Sequence, residues 1–240
     1  MGTSKAIRDF TPLTQAIVEH VLRYRLSVPS AILRLMDRID PGIKDPTIPL
    51  HQLVHSKYLG MDVLCGQESY LFLTPKGAHA CGQSLPTVEE RWCGPIPERA
   101  KIINYAILAC CCLSDTTRQR LTLGEFRQHF PQLLRPGLTM NYYVDASGDR
   151  PRLGFVRVDM GGHGRWDRIL AKCCDDWRAH EAHAGFRSLI DRGEFEISIV
   201  TALEQKADRL RHALSAHKQK MVVRICAVRR LLDLIAPEPR

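Results

Sequence analysis

Two carboxylates, Asp145 and Asp159, are the chain's first candidates for chemistry. Asp145 ends the strand-like run Met140-Asn141-Tyr142-Tyr143-Val144-Asp145. Asp159 ends Arg152-Leu153-Gly154-Phe155-Val156-Arg157-Val158-Asp159, and the turn Ser147-Gly148-Asp149-Arg150 lies between the two runs. Carboxylates on neighbouring strands can hold one divalent cation such as Mg²⁺. Aspartates at strand ends also cap turns and then need no metal. Three other constellations are weaker. His180 and His183 stand three residues apart on a helix. They could form half of a zinc site, but the spacing is not that of a helical metalloprotease pair and no partner ligand is evident. Gly161-Gly162-His163-Gly164 follows a strand and could bring backbone amides to a phosphate. Without the Walker lysine spacing it reads as a flexible turn. Cys110, Cys111 and Cys112 are contiguous in an apolar helical run, a core pattern with no metal-ligand spacing.

Nucleic-acid recognition is the other chemistry in the sequence. Residues 11–25 read as a helix capped by Thr11 with Pro12 at its first position. Val28-Pro29-Ser30 opens a second helix through Met36, and Asp45-Pro46-Thr47 starts a third. Two short strands follow, Asp62-Val63-Leu64-Cys65 and Tyr70-Leu71-Phe72-Leu73, around the loop Gly66-Gln67-Glu68-Ser69, and Thr74-Pro75 starts another helix. Three short helices and then a small hairpin are the layout of a winged helix-turn-helix. The third helix would present His51, Gln52, His55, Ser56 and Lys57, with Gln52 suited to adenine and Lys57 to phosphate. Gln67 and Ser69 in the wing and Lys76 after it are candidates for phosphate or minor-groove contact. A solvated helix face, or a protein contact, accounts for the same residues without DNA.

Composition favours a polyanionic partner without naming one. The 240 residues carry a net charge of +8, with 45% apolar and 25% charged residues, so the chain is globular and long enough for one large or two small domains. Nine cysteines, an odd number with no Cys-x-x-Cys pair, follow the polar start Met1-Gly2-Thr3-Ser4-Lys5. Reduced thiols in a cytoplasmic protein are expected. No apolar run approaches the length of a membrane span, so no membrane partner is expected. The segment from Glu204 to Arg240 holds nine Lys or Arg against four Asp or Glu. Within it, Lys218, Lys220, Arg224, Arg229 and Arg230 could line a DNA backbone. Leu203, Ala207, Leu210 and Leu214, then Met221, Ile225, Val228, Leu232 and Ile235, form an apolar seam with one skipped step. Residues 203–235 are therefore predicted as one long helix, able to pack on the chain's own core or to pair two subunits. A homodimer would double the DNA contacts.

Tyr143-Val144-Asp145-Ala146, Phe155-Val156-Arg157-Val158-Asp159-Met160-Gly161, Lys172 and Ile197-Ser198-Ile199-Val200-Thr201, in that order, resemble the replication-relaxation family of plasmid and mobile-element proteins. The resemblance covers most of residues 11–214. It implies a restriction-endonuclease-like α/β fold behind an N-terminal winged helix. In active nucleases of that fold one strand supplies an Asp, and the next supplies an acid followed one residue later by a Lys. Here Arg157 stands at the acid position and Asp159 at the Lys position. A cation at Arg157 repels a metal, and water activation would fall to Lys172. The resemblance therefore implies a nuclease-like scaffold without a working site and without a cofactor. In the alternative, Asp145, Asp159 and Lys172 form a Mg²⁺-dependent DNA nuclease or nickase.

The expected fold class is α+β. A winged helix-turn-helix spans 8–82, a helical connector 95–135, a nuclease-like α/β domain 138–214 and a basic C-terminal helix 215–240. The expected function is double-stranded DNA binding in the replication, transfer or control of a plasmid or conjugative element, with the replication or transfer machinery as further partner. An interaction adaptor that binds no DNA is the remaining reading.

Overall fold

A computed structural model describes residues 11–42, 45–81, 93–114, 117–135, 138–215 and 222–235. The chain divides into two compact units, residues 1–104 and 105–240.

The first unit begins with helices α1 (Pro12–Tyr24), α2 (Pro29–Ile39) and α3 (Thr47–His55). Thr11 caps α1 as predicted, its side-chain oxygen accepting from the Thr14 amide at 3.2 Å. Asp45 accepts from the Thr47 amide at 2.8 Å, so α3 starts at Thr47 and Pro49 falls within its first turn, where no helical amide is needed. The antiparallel hairpin follows, β1 (Leu59–Cys65) with β2 (Glu68–Leu73), and then α4 (Pro75–Cys81). Its turn is tighter than the four-residue loop expected. Only Gly66 and Gln67 connect the strands, with Gly66 at φ +56°, and Ser69 lies inside β2 opposite Val63. On its other side β2 is bridged by Ser27, which exchanges two backbone hydrogen bonds with Leu71 at 3.0 and 2.8 Å. The core between helices and hairpin holds Ile17, Val21, Ile32, Met36, Leu53 and Leu71.

Helix α5 (Glu98–Leu108) crosses the division and runs on as a π-helical turn at Ala109–Leu113. The second unit then contains β3 (Arg118–Arg120), α6 (Leu123–His129), β4 (Tyr142–Asp145), β5 (Arg152–Val158), α7 (Trp166–Glu181), α8 (Ala184–Asp191), β6 (Phe195–Thr201), α9 (Glu204–Ser215), β7 (Val222–Ala227) and α10 (Arg230–Ile235). The strands form one sheet in the order β3-β4-β5-β6-β7. β4 runs antiparallel to both neighbours, while β5, β6 and β7 are parallel. The class is thus mixed helix and strand with a five-stranded sheet. Alternation along the strands gives the sheet two different faces. One carries Tyr142, Phe155, Ile197 and Ile199 into an apolar core with Cys173 and Trp177 of α7 and Phe186 of α8. The predicted capping box opens α6, with Thr122 and Glu125 each satisfying the other's amide.

The expectation for the C-terminal segment needs correction. The single helix over 203–235 is instead α9, then β7, then α10. The Val222-Val223-Arg224-Ile225 run is β-branched and pairs with β6, and this tertiary pairing overrides the helical spacing of its apolar residues. Of that seam Ala207 and Leu210 are buried and Leu232 and Ile235 half-buried, and β7 interrupts the helical stripe between them. The short β3 and the helix α8 were not anticipated. His180 does not form a metal pair with His183, because its ring is buried with Nε2 at 2.8 Å from the Tyr142 hydroxyl and Nδ1 at 2.6 Å from the Asp176 carbonyl. Among the described residues no helix is long and apolar enough to cross a membrane.

Two buried histidines make the fold sensitive to acid. His20 sits 3.1 Å from Ser27 Oγ, and burial, aided by Arg38 and Arg23, lowers its pKa to about 3. Burial lowers His180 to about 4, against the Asp176 carbonyl, which favours the charged ring. The unfolded chain protonates both near 6.5 while the folded chain does not, so the stability they provide is full above that pH and declines as pH falls toward 4. Urea unfolding at pH 7.5 and 5.0 is expected to give a lower midpoint at pH 5.0, and His20→Asn is expected to flatten that difference. An unchanged pH slope in His20→Asn would refute the assignment.

Candidate functional site

The candidate DNA-facing residues of α3 and its end lie on one short stretch. His51, Gln52, His55, Ser56 and Lys57 are all exposed, while Leu50 and Leu53 anchor the opposite side of α3 in the core. Lys57 adopts φ +59°, a left-handed residue that ends the helix and turns the chain into β1. Gln67 is exposed at the tip of the hairpin and Ser69 is half-buried along β2. Lys76 is already engaged: its ammonium donates to the Ser56 carbonyl at 2.8 Å and lies 4.2 Å from the centre of the Tyr58 ring. It ties α4 to the end of α3, so its cation supports this surface rather than reaching away from it. Gly77 makes the junction tight, since a Cβ there would lie 2.1 Å from the Tyr58 carbonyl oxygen.

In the second unit the two candidate carboxylates are kept apart. Asp145 lies opposite Arg152 at the start of β5, whereas Asp159 follows the last residue of that strand. Seven residues of extended chain separate these ends by roughly 23 Å, far beyond the reach of one cation. Asp159 is buried against Lys206 Nζ at 2.6 Å, and also accepts from Thr201 Oγ1 at 3.1 Å and the Gly161 amide at 3.0 Å. Arg157 points to the apolar-core side, where it forms a bidentate pair with Asp176 of α7. Lys172 is exposed on α7 and is not paired with Asp145 or Asp159.

Asp145 belongs to a charge network on the other face of the sheet. Arg118 of β3 donates to it at 3.1 Å and lies 3.8 Å from Glu196 of β6. Arg224 of β7 donates to Glu196 at 2.8 Å and lies 3.7 Å from Asp145. Arg152 approaches Glu196 at 3.9 Å. The Tyr143 hydroxyl donates to Glu196 at 2.5 Å, and its oxygen lies 2.6 Å from Ser198 Oγ. To reach β6 from β4 the Tyr143 ring must pass over β5, and it does so at Gly154, where a Cβ would lie 2.0 Å from the ring. Burial opposes ionisation of Asp145, but hydrogen bonds from Ser147 and Arg118 outweigh it and hold the carboxyl below the usual range. Burial likewise pushes the Tyr143 phenol up, so it stays a neutral donor. A guanidinium therefore occupies the space between the two buried carboxylates. Among the described residues no group of three or more His, Cys, Asp or Glu side chains is placed to hold a metal.

The network also redefines the basic C-terminal residues. Arg224 is spent on Glu196, and Arg230 lies 3.3 Å from Asp233, while Arg229 is exposed. Lys218 and Lys220 lie outside the described residues. Arg118 and Glu196 escaped the reading of the sequence. The one available signal was Glu196 itself, an acid inside the mostly apolar run of β6, which requires a buried partner.

Removing one member of such a network leaves an unpaired buried charge, at a cost of about 3–5 kcal/mol. Arg118→Met is expected to destabilise the protein by that amount in urea unfolding, and Gly154→Ala by about 1–3 kcal/mol through overpacking against Tyr143. A change below 0.5 kcal/mol in both would show that the network does not hold the sheet. No family model matches the chain, and neither a curated protein nor a solved structure matches it significantly.

Proposed function

We propose that the protein binds double-stranded DNA without cutting it. The observation that carries this reading is the exposed face His51, Gln52, His55 and Lys57 on a short third helix that leads directly into a tight hairpin. Helix, bridging Ser27, helix, helix and hairpin is the layout of a winged helix-turn-helix, whose third helix enters the major groove while the hairpin reaches the flanking backbone. The net charge of +8 supports a polyanionic partner. The second unit is then a nuclease-like scaffold whose two candidate carboxylates are each held by a cation, Asp145 by Arg118 and Asp159 by Lys206. The resemblance to replication-relaxation proteins supports a cytoplasmic role in replication, transfer or control of a plasmid or conjugative element.

Binding to duplex DNA is expected to weaken steeply between 50 and 200 mM salt, as phosphate contacts release counterions. Lys57→Ala should weaken binding on all sequences and lower the slope of log K against log salt by about one. Gln52→Ala should cost about 1–3 kcal/mol on the preferred site only. A gel shift at two salt concentrations is the direct check. No shift even at low salt would reject DNA binding in favour of an interaction adaptor, and Mg²⁺-dependent nicking lost in Asp159→Ala would restore the nuclease.

A further inference from the structure

One cleft of the second unit adjoins Lys206, the partner of Asp159, and the His163–Gly164 turn, but is lined mainly by residues not considered above. It opens where β5 and β6 end, between the 163–167 segment and the start of α9, and has a volume of about 460 Å³. A second, shallower depression of about 490 Å³ lies beside it along α9. Trp166 and Arg209 line both, so they form a ridge between the two hollows. Trp166 is half-buried and packs against the apolar core, which fixes the indole in place. The cations around the ridge differ in one respect. Arg165 is paired with Asp167, Lys206 with Asp159, and Arg211 with Glu204 and Asp208. Arg209 is exposed and has no ion-pair partner among the described residues.

A held aromatic ring beside an unspent guanidinium, with a hollow on either side, suits two successive nucleotides. Bases stack on aromatic side chains while a cation tracks the connecting phosphate, and this works for single strands because unpaired bases expose their faces. We propose that the Trp166–Arg209 ridge binds single-stranded nucleic acid, one nucleotide in each hollow and the phosphate between them on Arg209. The site is separate from the α3 surface and does not depend on the duplex-binding reading.

The test uses the full chain and oligo(dT) of eight nucleotides carrying a fluorescent label, read by anisotropy at low salt. Arg209→Glu is expected to weaken binding at least tenfold, because it reverses the charge at the phosphate. Trp166→Phe keeps an aromatic ring in the core and is expected to weaken it about threefold, whereas Trp166→Leu removes stacking and should match Arg209→Glu. Circular dichroism of each variant establishes that it is folded. Lys57→Ala should leave oligo(dT) binding within twofold. Loss of binding in Lys57→Ala but not in Arg209→Glu would place single strands on α3 and overturn the proposal. So would displacement of the oligonucleotide by inorganic phosphate as readily as by unlabelled oligo(dT), which would mark a plain anion pocket. Absence of any oligo(dT) binding would overturn it as well.

Discussion

The second unit depends on how the buried carboxyl of Glu196 is partnered inside the sheet. The residue is fully buried near the start of β6, and taking an isolated carboxylate out of water is prohibitively costly. Its partners come from every other strand: Arg118 from β3, Tyr143 from β4, Arg152 from β5 and Arg224 from β7. Strand order is thereby coupled to charge compensation. A register slip of one residue in any of these strands would turn its partner to the opposite face. Such a network adds little net stability over a well-packed apolar core, but its ion pairs form only in this register. The missing Cβ at Gly154 belongs to the same constraint, because it opens the path of the tyrosine across β5.

The first unit solves a smaller problem with fewer parts. A two-stranded hairpin is marginal by itself. Here Ser27 adds a bridge to the far side of β2, and His20 fixes Ser27 from α1. Lys101 reaches the outer strand, donating to the Val63 carbonyl at 3.1 Å while held by Glu98 at 2.7 Å. Thr74, donating to the Lys57 and Tyr58 carbonyls, and Lys76 then secure α4 to the turn after α3. The exposed face of α3 is consequently mounted on a rigid support, which is what a surface needs if its side chains are to be read in register.

Local signals were legible in the sequence and long-range ones were not. The caps at Thr11, Thr74 and Thr122 and the hairpin glycine act within three or four residues, and each stands where the spacing placed it. β4, β5 and β6 were visible from their apolar alternation. β3 was invisible because Arg-Gln-Arg has no apolar face. Its backbone pairs with β4, and Asp145 and the Met140 carbonyl accept from its arginines. β7 was misread because its apolar residues also fit a helical period, and only the pairing to β6 decides between the two. The same limit applied to the candidate site. Asp145 and Asp159 are fourteen positions apart in sequence, but their separation in space follows from the hairpin register, which brings Asp145 to the far end of β5.

The late position of β7 matters for a chain made from its N-terminus. Glu196 leaves the ribosome well before Arg224, so β6 must wait with one edge unpaired and its acid only partly compensated. Unpaired edges of that kind are sticky. Synthesis that stops before Val222 leaves this intermediate with no way to finish. β7 thus supplies the missing edge partner and a missing cation together, and products truncated before it should be cleared by proteases rather than accumulate as folded protein.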